Sequence, residues 1–226
     1  MSSWPWRTRF VCRSALNRLS VRKNAHTRLA ELRGVFINTS YRQDRRVQVE
    51  SELAKMGLTS IERLTAVERA NGALGCALSH ISAVKNSLPS GLPVMVCEDD
   101  LEFLVSPERL AQIVNEFLGN SALDVLCLAY NARDVPVPIG SGLLCTTQKT
   151  QTTACYIVKP KAQQQLIAAW TSGVRDLEEG NMSGAVDISW KKLQSSKLVF
   201  VVPAERAARQ RPGFSDILEE HVDYGL

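Results

Sequence analysis

One stretch, residues 93–100, decides the fold: PVMVCEDD places an apolar run of five residues directly before three acids. A continuous apolar run of this kind is typical of a strand that is covered on both faces. Three adjacent carboxylates repel one another, so their position at the end of such a strand is costly without a compensating cation. The stretch therefore predicts a buried strand with a cation site at its carboxyl end, the alternative being a solvated acidic turn.

Short apolar runs alternate with helical patterns on both sides of this stretch. Further strands are predicted at residues 35–37, 61–67, 125–128, 143–147, 154–158 and 198–202. Helices are predicted at residues 43–57, 71–88, 160–170 and 187–194, and from residue 107 onward. Loops are predicted at 131–141 and, as a mobile segment, at 172–184, and the tail from Pro203 is predicted to be irregular. This alternation predicts an α/β sandwich with a mostly parallel central sheet.

The composition is that of an ordinary globular chain. With 226 residues, 45% hydrophobic and 22% charged, the sequence suits one domain with a sizeable core. No stretch approaches the roughly 18 apolar residues that a transmembrane helix needs. The net charge of +4 comes from residues 1–33, which hold eight Lys or Arg and one acid, so the remainder is mildly acidic. This balance predicts no nucleic-acid partner.

Residues 1–33 are therefore treated as a basic N-terminal arm, and residues 34–226 as the domain proper. Three interpretations of the arm remain open: a transit peptide, a basic amphipathic segment on an anionic membrane, or a disordered extension without a role. A secretory signal does not fit, because the arm lacks a clean apolar core of sufficient length.

The six cysteines form no Cys-x-x-Cys pair, and most lie inside apolar runs. Buried reduced thiols predict a cytoplasmic protein, with peripheral contact at the inner face of the membrane if the arm binds lipid. Cys76 and His80 are one helical turn apart, which suits a zinc site, but two ligands without a second pair make a weak one. A Cys-His protease is less well supported still, because nothing marks an activated nucleophile.

The acidic triplet has the oxygen ligands that Mg²⁺ and Mn²⁺ prefer. Alternate residues of an extended segment point the same way, so Glu98 and Asp100 are predicted to converge on one metal while Asp99 is turned aside to structural work. A divalent ion there would bridge a diphosphate and stabilise it as it leaves.

Two further carboxylates are candidates. Asp187 follows a glycine-containing segment near the start of a predicted helix, where simple stabilisation of the helix N-terminus is the competing explanation. Asp216 lies in the segment Gly213-Phe214-Ser215-Asp216-Ile217.

Together, five segments in this order resemble glycosyltransferase family 25, the bacterial lipooligosaccharide galactosyltransferases and their collagen-modifying relatives. The segments are Phe36-Ile37-Asn38 with Arg42 to Arg46, the run from Gly72 to Ser79-His80, Val96 to Asp100, Ala154 to Val158 with Ala162, and Val186-Asp187 with Ser215 to Ile217. The glycine-rich Ser-His helix and the acidic triplet are the specific pair, and they lie about 18 residues apart.

The resemblance implies a glycosyltransferase A-type fold, a UDP-sugar donor, in particular UDP-galactose, and Mn²⁺ or Mg²⁺ as cofactor. It implies a glycan or lipid-linked glycan as acceptor, in the synthesis of lipopolysaccharide, lipooligosaccharide or another surface glycan, with inversion at the sugar. Glu98 and Asp100 are the predicted metal ligands, and Asp187 is the predicted catalytic base, with Asp216 as runner-up. The predicted donor-binding residues are Asn38, Arg42, Arg45, Ser79, His80 and Asp99. Either arginine can equally be a solvated residue of the helix face.

Two alternatives remain. A non-catalytic relative that binds sugar nucleotide is favoured by departures from the family pattern at Thr39 and Val84 and by the short stretch 68–71. A metal-dependent phosphohydrolase or nucleotidyltransferase would use the same triplet, but it needs a second carboxylate cluster that the sequence does not offer.

Overall fold

An eight-stranded sheet lies at the centre of the molecule in this computed structural model, which describes residues 29–215 and 220–223. Its strands, in spatial order, are β2 (Ile61–Thr65), β1 (Gly34–Asn38), β3 (Val94–Glu98), β10 (Cys155–Val158), β5 (Val125–Cys127), β11 (Phe200–Pro203), β8 (Leu144–Thr147) and β7 (Val137–Ile139). Six of these eight strands point the same way, and β10 and β8 run against them.

Three two-stranded sheets flank the central one. They pair β4 (Leu101–Phe103) with β12 (Ala208–Gln210), β6 (Asn131–Ala132) with β9 (Thr150–Gln151), and β13 (Gly213–Ser215) with β14 (Glu220–Val222).

Helices cover both faces of the central sheet. The described helices are α1 (Gln43–Lys55), α2 (Gly72–Ser87), α3 (Pro107–Gly119), α4 (Pro160–Glu178), α5 (Val186–Ser189) and α6 (Lys191–Gln194), with short 3₁₀ turns at Leu88–Ser90 and Met182–Gly184. Buried residues of α1 and α3 belong to one apolar cluster, and those of α2, α4, α5 and α6 belong to another. Strand β3 contributes alternately to both, Met95 and Cys97 to the first, Val94 and Val96 to the second.

The structure thus confirms the predicted fold class, an α/β sandwich with a mostly parallel central sheet, the layer arrangement expected of the glycosyltransferase A type. Local sequence signals for the helices are also visible in the structure. Ser106 caps α3 by accepting a hydrogen bond from the backbone N–H of Arg109, with Pro107 in the first turn. In α2, a Cβ added to Gly75 would lie 2.4 Å from the carbonyl oxygen of Val67, so the helix needs glycine to pack this closely.

Two of the predicted loops are wrong. The mobile segment expected at 172–184 is mostly helix, because α4 continues to Glu178 and is followed by the 3₁₀ turn. Two of its glycines pack against each other: a Cβ on Gly173 would lie 2.5 Å from the carbonyl oxygen of Gly184. The loop expected at 131–141 contains β6, which pairs with β9, and β7, which forms a hairpin with the next strand, β8.

The irregular tail expected after Pro203 is likewise wrong for the described part. Strand β12 pairs with β4, and β13 pairs with β14. The pairing of β12 with β4 joins segments distant in the chain, so no local pattern announces it, whereas β13 and β14 are consecutive strands of one hairpin.

Residues from the end of the predicted arm already belong to the packed domain. Leu29 and Leu32 are 1% and 5% exposed and lie in the same apolar cluster as α1. Residues 1–28 lie outside the described part, so the three interpretations of the arm stay predictions. Among the residues that the structure describes, no helix is both long and apolar enough to span a bilayer.

Candidate active site

The acidic triplet lies where three strands of the central sheet meet. Strands β1 and β3 are parallel, with Ile37 opposite Glu98, so their carboxyl ends share one edge. Strand β10 runs the other way beside β3, so the residues that precede it return to this edge, and the backbone N–H of Glu98 donates to the carbonyl of Ala154. The carboxyl edge of such a sheet is the usual place for ligands in α/β proteins.

Asp99 is held by two residues of the first strand-helix unit. Asn38 Nδ2 donates to its Oδ2 over 2.7 Å, and Arg45 Nη1 donates to its Oδ1 over 3.1 Å. Asn38 is itself buried and accepts a hydrogen bond from Arg63 Nε, so its contribution is to fix Asp99. Both carboxylate oxygens of Asp99 are thus engaged by neighbouring side chains, and its predicted roles in structure and in donor binding stay predictions.

Asp100 is buried and only partly satisfied. Its Oδ2 accepts from Gln210 Nε2 at 3.0 Å and lies 3.5 Å from Arg45 Nη1. Its Oδ1 is buried and has no hydrogen-bond partner within the described residues. Burial, and after it the negative charge of Glu98, raises the pKa of Asp100 to about 7.

Glu98, the last residue of β3, has a side chain that is 23% exposed. Thr153 Oγ1 donates to its Oε1 over 2.7 Å, and His80 Nε2 lies 3.3 Å from the same oxygen. Burial alone would raise the pKa of Glu98, but the neighbouring His80, with help from Thr153 and Arg45, outweighs it and lowers the pKa.

The Ser-His pair of α2 is buried beneath this edge. His80 is fixed through Nδ1, which lies 3.0 Å from the hydroxyl of Tyr156, while its Nε2 points toward Glu98. Ser79 uses its hydroxyl inside the fold, donating to the Gly75 carbonyl and accepting from the backbone N–H of Val67. Ser79 therefore positions the chain that lines the site.

Asp187, in the first turn of α5, lies close enough to Glu98 for the charges of the two groups to interact. Its Oδ2 accepts from the backbone N–H of Thr152 at 3.4 Å, and burial, with a contribution from the charge of Glu98, raises its pKa. Thr152 has φ of 68°, a conformation that a β-branched residue rarely adopts. Such strain persists where the surrounding structure enforces it, often at functional sites.

Two adjoining cavities open at the triplet. The first, of about 310 Å³, is lined by the whole triplet, Arg45, Ser79 and His80. The second, of about 330 Å³, is lined by Asp187 together with Thr152 and Thr153. Four residues line both cavities: Cys76, Glu98, Gln210 and Ser215. Each volume is at the lower end of the range for small-molecule sites, and Glu98 lies at the junction.

Two predicted residues remain, Arg42 and Asp216. Arg42 pairs with Asp44 at the start of α1, at 2.9 Å, and does not line either cavity, so Arg45 is the arginine that reaches the triplet. Asp216 lies outside the described residues, and its predicted role stays a prediction.

Sequence reasoning missed Thr152, Thr153 and Gln210. Gln210 is 110 residues from Asp100 and reaches it through the pairing of β12 with β4. No local pattern marks these positions, because a threonine or glutamine acquires its role here only through tertiary neighbours.

The donor set fits a hard divalent cation. Glu98 and Asp100 provide carboxylate oxygens, and the buried unpartnered Oδ1 of Asp100 is costly to leave unsatisfied, by about 1–3 kcal/mol. Mg²⁺ or Mn²⁺ is usually bound by one or two protein carboxylates, and substrate phosphates and water provide its other ligands.

Comparisons with known proteins identify no family. No family model matches the chain, and no curated protein matches it. Solved structures align over most of the chain at low identity. The A197 protein from STIV has a TM-score of 0.43 at 12% identity, covering 76% of this chain and 81% of the other.

Two further structures align similarly. A nucleoside-diphosphate-sugar pyrophosphorylase from Vibrio cholerae RC9 has a TM-score of 0.40 at 14% identity, with 81% of this chain and 77% of the other covered. Mouse xyloside xylosyltransferase 1 has a TM-score of 0.39 at 10% identity, with 83% and 81% covered. At these scores and identities the alignments assign no function to this chain.

Fold and site together define a class: an α/β sandwich with a buried carboxylate cluster where two small-molecule cavities meet at the carboxyl edge of its sheet.

Proposed function

We propose that this protein is a metal-dependent glycosyltransferase similar to family 25, which transfers a hexose from a UDP-sugar to a glycan acceptor. One observation carries the proposal: Glu98 lies at the junction of two cavities, with Asp100 in the first and Asp187 in the second. Transfer between two substrates needs two adjoining sites and charged groups at their boundary. The family resemblance of the Ser-His helix and the acidic triplet supports the same reaction.

The first cavity suits the donor. Glu98 and Asp100 would hold Mn²⁺ or Mg²⁺, which supplies electrostatic stabilisation of the negative charge on the departing diphosphate. Arg45, fixed by Asp99 and by the carbonyl of Phe214, adds a positive charge at the wall of this cavity. Asn38 and Asp99 hold that arginine in place.

The second cavity suits the acceptor. Asp187 lines it and is positioned by the N–H of Thr152. Its carboxylate accepts the proton of the acceptor hydroxyl as the new glycosidic bond forms and the bond to the diphosphate breaks, with inversion at the sugar. The raised pKa makes Asp187 a stronger base than an ordinary aspartate. UDP-galactose as donor and a surface glycan as acceptor are part of this proposal on the strength of the resemblance.

The test is release of UDP from a panel of UDP-sugars with Mn²⁺, with and without chelator. We expect release from one donor that is abolished by chelator and by Asp100→Asn. Glu62→Gln is the control, because Glu62 is exposed on β2 and lines neither cavity. A folded protein that releases no UDP from any donor would falsify the proposal, and donor binding without release would identify a non-catalytic relative instead.

A further inference from the structure

Three potential metal ligands of different chemistry converge beside the carboxylate cluster. Cys76, His80 and Glu98 each present one ligand atom, and these atoms lie within 4.8 Å of one another. The sequence offers only the Cys76 and His80 pair, one helical turn apart on α2. The third ligand comes from β3, so it is the fold that completes the set.

His80 is oriented as a metal ligand would be. His80 is 0% exposed, and its Nε2 is buried without a hydrogen bond of acceptable geometry, 3.3 Å from Glu98 Oε1. Its other nitrogen, Nδ1, is engaged by the Tyr156 hydroxyl at 3.0 Å. Metal-binding histidines have this arrangement, with one ring nitrogen held by an outer partner and the other directed at the ion.

The ion also has a route from solvent. Cys76 and Glu98 line both cavities, and His80 lines the first, so all three residues border the first cavity. Ligand distances of about 2.0–2.3 Å are normal for zinc bound by sulfur, nitrogen and oxygen, and small side-chain rotations bring the three atoms to a common ion. Thiolate and imidazole select a softer cation than the two carboxylates of the neighbouring site do.

We propose that Cys76, His80 and Glu98 form a second cation site for Zn²⁺ or a similar thiophilic ion, and that filling it removes Glu98 from the Mn²⁺ or Mg²⁺ site. Binding releases the thiol proton of Cys76 to solvent as the sulfur–metal bond forms. The two ions share one carboxylate, so they compete. Binding itself is independent of the proposed function, whereas inhibition of transfer by zinc rests on it.

The binding test uses Co²⁺ as the probe, titrated into the full chain and followed by the near-ultraviolet sulfur-to-cobalt charge-transfer band. We expect one equivalent to produce the band and Zn²⁺ to displace it. Cys76→Ser abolishes the band, and Cys145→Ser, at a buried cysteine that lines neither cavity, retains it. Circular dichroism verifies that each variant is folded.

A second variant distinguishes loss of the metal site from a folding defect. Tyr156→Phe removes only the outer partner of His80 and should lower Co²⁺ affinity by about 10–100-fold while the band remains. Absence of the band in the folded wild-type chain, or an unchanged band in Cys76→Ser, overturns the site.

The inhibition test measures UDP release supported by Mn²⁺ as Zn²⁺ is added. At a free Zn²⁺ concentration of about 100 times its Kd, about 99% of sites are filled, so the wild-type rate should fall by up to about 100-fold. Equal sensitivity of Cys76→Ser and the wild type would refute the competition. In a protein that releases no UDP, the proposed function fails and the cobalt titration alone decides the site.

Discussion

The Asp100→Asn variant should make the metal-free protein more stable. The pKa of Asp100 is raised from 3.8 to about 7, chiefly by burial, so its charged form is disfavoured in the folded state. A folded pKa above the unfolded one means that stability is highest when the group is protonated and falls as pH rises from 3.8 to about 7. Each pKa unit corresponds to about 1.4 kcal/mol.

The magnitude follows from those two values. At pH 8, with chelator present, the charge on Asp100 costs about 4 kcal/mol of the free energy of unfolding, and at pH 5 it costs under about 2 kcal/mol. Asparagine keeps a side-chain oxygen for Gln210 and carries no charge. We therefore expect the free energy of unfolding of Asp100→Asn to be higher than that of the wild type by about these amounts at the two pH values.

The assay is urea unfolding in chelator at pH 5 and pH 8, with Glu62→Gln as the control for removal of an exposed acid, expected within about 0.5 kcal/mol of the wild type. Added Mn²⁺ should reduce the difference in the free energy of unfolding between the variant and the wild type, because it stabilises only the wild type. If the variant is no more stable than the wild type at pH 8, or if the difference in the free energy of unfolding is not smaller at pH 5, the account of Asp100 as an incompletely compensated buried charge is refuted.

Three further predictions concern single positions. Asp187→Asn should lower kcat for UDP release by about 10²–10⁴-fold with little change in the donor KM, and a kcat within a fewfold of the wild type would exclude Asp187 as the base. Gly173→Ala should lower the free energy of unfolding by about 1–3 kcal/mol in urea, because its Cβ would lie 2.5 Å from the Gly184 carbonyl; an unchanged midpoint contradicts this. Ser79→Ala should cost about 1–3 kcal/mol by leaving the Val67 N–H unpaired, and a neutral result would mean that water replaces the hydroxyl.

The fold was largely predictable, because its signals are local. The apolar run before Glu98 identified β3, and Ser106 with Pro107 identified the start of α3. The errors at 131–141 and 172–184 have one cause: glycine and proline indicate loops when no partner is known. Gly173 is tolerated within α4 because it contacts the backbone of Gly184, which sequence cannot show.

The candidate site was predictable in its carboxylates and less so in their surroundings. Adjacent acids after a buried strand can be recognised by charge and position, as can Asp187 after a segment of small residues. The environment that gives these carboxylates different pKa values and contacts cannot be recognised in the sequence. Whether Arg42 or Arg45 reaches the triplet is decided by packing at the start of α1, and only Arg45 does.

The sequence by itself determined the α/β alternation and the location of three carboxylates at a strand end, since hydrophobic periodicity and local charge are properties of neighbouring residues. Only the tertiary structure decided that Glu98 lies between two cavities, that Gln210 contacts Asp100, and that Cys76 and His80 meet a third ligand. The physical reason is that burial and contact between groups distant in the chain set the pKa values and the ligand geometry, and both exist only once the sheet and its helices have packed.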